Sequence, residues 1–113
     1  MVDWVNALCD IPLAVGEVPV AVQMAPARPH LSDRDAFLAA VRRRLDARPE
    51  LVGAWQGYSF DKRTGAGPYL DLRPGSCRVG FYDDGFHDVT VHADAAGACA
   101  DFIHREAVWV LGR

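Results

Sequence analysis

Four side chains in the last third of the chain, His87, Asp88, His92 and Asp94, are of the types that bind metal ions. Strand geometry works against them. His87 and His92 are five positions apart, so alternation points them to opposite faces. Asp88 and His92 share a face but lie about 13 Å apart at a rise of about 3.3 Å per residue. His92 and Asp94 can converge, yet a zinc site needs further ligands from elsewhere, so no metal is expected. Nucleophilic catalysis needs a base and oxyanion donors beside a Ser or Cys. Cys77 and Cys99 fall on apolar faces, and Ser59 and Ser76 lack a G-x-S-x-G elbow. Lys62 and Arg63 precede Thr64-Gly65-Ala66-Gly67, but a phosphate cradle requires a helix to follow, and Pro68 opens a strand pattern instead. Asp83-Asp84 precedes Gly85, where aspartates serve the backbone of a turn. No catalytic residue and no cofactor is assigned.

The elements that position these residues read as an antiparallel sheet. Leu51–Phe60, Tyr69–Leu72, Cys77–Tyr82 and Phe86–Ala93 are short runs rich in Val, Phe, Tyr, Trp and Thr. Arg73-Pro74-Gly75-Ser76 suits a type II turn, with Pro presetting φ and Gly supplying positive φ. Short links between neighbouring runs imply hairpins. In Cys77–Tyr82, Cys77, Val79 and Phe81 share one face; in the last run, His87, Val89, Val91 and Ala93 share one. Trp55 between Gly53 and Gly57 could lie flat beside two bare positions. Val18–Met24 and Ala107–Leu111 read as two more strands, the first an edge because of Pro19. Ala25–His30 reads as an extended connector.

Two helices carry clearer signals. Ser32 with Asp35 three residues on forms a capping-box pattern. Phe37, Leu38, Val41 and Leu45 give the apolar stripe, and Pro49 stops a helix spanning about 33–47. Asp94 caps a second, about 95–104, with Ala98, Cys99, Phe102 and Ile103 buried. Met1–Cys9 admits a short helix or an irregular entry. The fold class expected is therefore α+β: a single domain over 1–113, mainly antiparallel sheet, with two helices packed on one face.

The chain has 113 residues, half of them hydrophobic, which suffices for one core without a disulfide or metal. Cys9, Cys77 and Cys99 are odd in number and lack a CxxC, which speaks against a disulfide framework. No apolar run approaches the ~20 residues of a membrane span, and Ile11–Val15 is too short for a signal segment. A cytoplasmic location is expected. Basic residues are Arg except for Lys62, and acids are mostly Asp, a usage typical of a GC-rich bacterial genome.

Charge is unevenly distributed. Between Val79 and His104 there is no Lys or Arg but five aspartates, Asp83, Asp84, Asp88, Asp94 and Asp101. Between Arg28 and Arg48 six arginines face Asp33, Asp35 and Asp46. A net charge of −3 argues against nucleic-acid binding, while an acidic stretch would steer a basic partner. In size, in the capped helix from Ser32 to Ala47, in the run bearing Trp55 and Tyr58 and in the closing AVWVLGR, the chain resembles small bacterial immunity proteins of polymorphic or contact-delivered toxin systems. That resemblance implies a non-catalytic inhibitor of one cognate toxin, often a nuclease or another enzyme with a basic active-site groove. The expected contact surface is Tyr82, Asp83, Asp84, Phe86, Asp88, His92 and Asp94. The expected state is a monomer or homodimer. A small enzyme or ligand-binding domain, with a pocket between sheet and helices near Trp55, Tyr58, Cys77 and His87, is the alternative. A structural homodimer paired through the strand at Val18–Met24 or Ala107–Leu111 is a third.

Overall fold

A computed structural model describes residues 3–13, 18–61 and 65–112. Helices α1 (Trp4–Cys9), α2 (Val20–Met24), α3 (Arg34–Ala47) and α4 (Glu50–Asp61) precede the strands β1 (Gly67–Arg73), β2 (Ser76–Tyr82) and β3 (Phe86–His92), and helix α5 (Ala95–Leu111) closes the chain. The three strands form one antiparallel sheet in the order β1-β2-β3. The α+β class and the antiparallel sheet hold; the predominance of sheet and the pair of helices on one face do not.

Three expected strands are helical. Leu51–Phe60 lies inside α4, where Leu51, Trp55 and Ser59 are buried at four-residue spacing, the period of a helix face. Gly53 and Gly57 fall on its solvent side, so the indole is not flanked by bare backbone as a strand would place it. Val18–Met24 holds the short α2, and Ala25–His30 continues as a 3-10 helix rather than an extended connector. Ala107–Leu111 is the last part of α5, which runs past His104 because Glu106, Ala107 and Leu111 carry on its buried stripe. Local β propensity lost in each case to burial of a helical face. The edge-strand homodimer expected at Val18–Met24 or Ala107–Leu111 therefore has no strand to use.

The two signalled helices are present. Asp33, one residue beyond the expected Ser32, caps α3 by accepting from the Ala36 amide at 3.2 Å. Phe37, Val41 and Leu45 are buried as their spacing requires. Asp94 caps α5, accepting from the Gly97 amide at 2.7 Å. The core gathers Leu8, Met24, Phe37, Trp55, Leu70, Val79 and Phe102 between the helices and one face of the sheet. The Trp55 indole N–H is satisfied by the Cys9 carbonyl at 2.8 Å.

The β1–β2 turn has Gly75 at φ 78°, as the Pro-Gly pair requires. On the face turned away from α5, Tyr69 lies over its cross-strand partner Gly80; a Cβ there would come within 2.7 Å of the Tyr69 hydroxyl and 2.9 Å of the His87 carbonyl. The two edges of the sheet differ. The edge at β1 is closed by α4: Gln56 donates to the Leu70 carbonyl and accepts from the Leu72 amide, both at 2.7 Å, and Ser59 accepts from the Leu70 amide at 2.8 Å. The edge at β3 is open, and Phe86 through Val91 are all exposed.

Candidate functional site

The face assignment of β3 changes partway along. Phe81 pairs with His87 and Val79 with Thr90, so Asp88 and Val89 together oppose Gly80. This is a β-bulge, with Asp88 at φ 52°. It returns His87, Thr90 and His92 to the face that carries Val79, correcting the simple alternation that sets His87 against His92 and groups it with Val89 and Val91. Sharing a face does not make the histidines a metal pair. Among the described residues no group of three or more His, Cys, Asp or Glu side chains is placed to hold an ion.

At the tip joining β2 to β3, Tyr82 and Phe86 meet edge to face with ring centroids 5.4 Å apart, and Phe86 also meets Tyr69 at 5.2 Å. Tyr82 is 44% exposed and Phe86 69%. The tip itself is tightly folded. Asp84 takes φ 53°, the Asp83 amide donates to the Gly85 carbonyl at 3.0 Å, and His87 Nε2 lies 3.0 Å from the Asp83 carbonyl. Asp83, Asp84 and Asp88 are exposed around it. Five of the seven expected contact residues are thus brought together on one end of the sheet.

His92 and Asp94 lie at the other end and are engaged in holding the fold. Asp101 on α5 has a fully buried side chain that meets His92 Nε2 at 2.8 Å, Arg105 Nε at 2.9 Å and Arg34 Nη2 at 3.2 Å. Burial alone raises its pKa, but the hydrogen bonds with His92 and Arg105, together with the Arg105 charge, outweigh this and hold the carboxyl below the usual range. Asp94 accepts from Arg42 at 2.6 Å, which together with the Gly97 amide lowers its pKa and raises that of Arg42. Arginines of the basic stretch therefore neutralise two of the five aspartates of the acidic one. What remains of the acidic surface is the group Asp83, Asp84 and Asp88.

Arg105 escaped the sequence reading because it stands one position beyond the arginine-free stretch. It turns back to donate to the Asp88 carbonyl and to Thr90 Oγ1, both at 2.8 Å, so it pins β3 to α5. Its i,i+4 spacing from Asp101 was the available signal. Beside it a groove of about 620 Å³ runs between sheet and helix, lined by Pro68, Phe81, Val89, Val108 and Trp109. The residues of the expected pocket do not converge. Trp55 is in the core, Tyr58 donates to buried Glu106 at 2.7 Å, and His87 is exposed at the tip.

Among the described residues no helix is long and apolar enough to cross a membrane. No family model matches the chain, and no curated protein and no solved structure matches it significantly.

Proposed function

We propose that the protein acts by binding another protein, as a non-catalytic inhibitor of the immunity type that neutralises a cognate bacterial toxin in the cytoplasm. The observation that carries this reading is the β2–β3 tip, where Tyr82 and Phe86 stand exposed in mutual contact between Asp83, Asp84 and Asp88. Aromatic side chains are enriched in the cores and hot spots of protein interfaces. A rim of carboxylates adds attraction to a basic surface, such as the substrate groove of an enzyme that acts on nucleic acid. His92 and Asp94 belong to this surface only as supports, since their side chains are engaged by Asp101 and Arg42.

Affinity capture of the tagged protein from its native cells, followed by native mass spectrometry, identifies the partner. With partner in hand, the D84K/D88K variant should bind at least about tenfold more weakly and with a shallower salt dependence. Affinity and salt dependence equal to wild type would sink the reading.

The groove between β3 and α5 favours a second reading, a ligand-binding domain for an apolar small molecule. A small molecule retained at one equivalent in the same native mass spectra, without a protein partner, would support it.

A further inference from the structure

We propose that β3 pairs with β3 of a second copy of this chain, antiparallel about Thr90, to join two three-stranded sheets into one of six strands. An open strand edge offers a row of backbone groups for strand addition, and among the described residues the β3 edge is the open one. Gln56 and Ser59 already satisfy the β1 side. An assembly using β3 alone is two-fold and closed, because among the described residues the β1 edge is taken by α4 and cannot propagate it.

The strand is self-complementary about its centre. Val89-Thr90-Val91 reads the same from either end. Pairing about Thr90 sets Val89 opposite the second copy's Val91 and Thr90 opposite its own counterpart, with the outward backbone groups of Val89 and Val91 available to form the ladder. Val89 and Val91 are 43% and 63% exposed in the single chain, so the pairing removes apolar surface from water. The Asp88 carbonyl is taken by Arg105 and its φ is 52°, so the symmetric stretch free to pair is Val89 to Val91. Three residues from each copy make a small interface, and the dimer should be weak. The tip from Tyr82 to Phe86 lies outside the paired stretch, so this inference does not rest on the toxin-binding reading.

Sedimentation velocity on the full chain from about 10 μM to about 1 mM tests it, a range suited to weak association. The wild type should pass from monomer to dimer, and V89K/V91K should stay monomeric throughout because four like charges meet at the axis. V89K/V91E should regain the dimer, since unlike charges then face each other across it. Melting followed by circular dichroism checks that both variants fold, as substitution at exposed positions predicts. A wild type that is monomeric throughout overturns the pairing. So does a V89K/V91K protein that dimerises like wild type, or a V89K/V91E protein no more dimeric than V89K/V91K.

Discussion

A single buried carboxylate joins three elements of this protein. Asp101 receives Arg34 from α3, Arg105 from its own helix and His92 from β3. Removing its charge leaves cationic and polar groups gathered around a site that no longer answers them, a defect that costs roughly 3 kcal/mol when a buried pair is broken. D101N should lose about that much stability in urea at neutral pH. The pH dependence has a definite sign. Because the folded pKa lies below the ordinary carboxylate value of about 4, the stabilisation is present above that value and is lost as pH falls through the folded pKa. Melting temperatures of wild type and D101N should therefore differ at neutral pH and converge in acid. A constant gap down to about pH 2 would contradict this account.

At the level of the element, what surrounds a glycine decides what replacing it would do. In α4, Gly53 and Gly57 are helical, on the solvent side, and a Cβ at either would meet nothing within 4 Å. Each therefore costs backbone entropy without a compensating contact. G53A and G57A should each stabilise the protein by about 0.5–1 kcal/mol, measured by chemical denaturation. Gly80 is the opposite case, since Tyr69 and the His87 carbonyl already fill the space a side chain would take.

At the scale of the whole molecule, burial controls thiol chemistry. Cys9 and Cys99 have no solvent exposure, whereas Cys77 on β2 is half-buried. Burial pushes the Cys9 thiol up to about 12, and it raises Cys99 as well. Since the thiolate is the reactive species, a disulfide reagent at mildly alkaline pH should titrate one thiol quickly in the native protein and all three after denaturation. Fast reaction of more than one native thiol would place Cys9 or Cys99 outside the core. The distribution of charge is settled at the same scale. The sequence separates an arginine-rich stretch from an aspartate-rich one, and folding lays α3 against α5 so that Arg34 and Arg42 reach Asp101 and Asp94. The polarity visible along the chain is partly cancelled inside the molecule, and its acidic remainder is confined to the β2–β3 end.

The sequence by itself determined the features that depend on neighbours a few positions apart. The stripe of α3, the Asp94 cap of α5, the Pro74-Gly75 turn and the aspartate-rich tip all follow from local spacing and local hydrogen bonding, whereas the cap of α3 falls at Asp33 rather than Ser32. Tertiary structure alone decided the state of Leu51–Phe60, Val18–Met24 and Ala107–Leu111. Their β-branched and aromatic residues fit either conformation, and the choice went to the one that buries Leu51, Trp55, Met24, Ala107 and Leu111 in a common core. It also decided which acidic residues stay available for a partner. Asp84 and Asp88 cannot be told from Asp94 and Asp101 by composition. They differ because only the latter two lie within reach of arginines some fifty or more positions away in the chain.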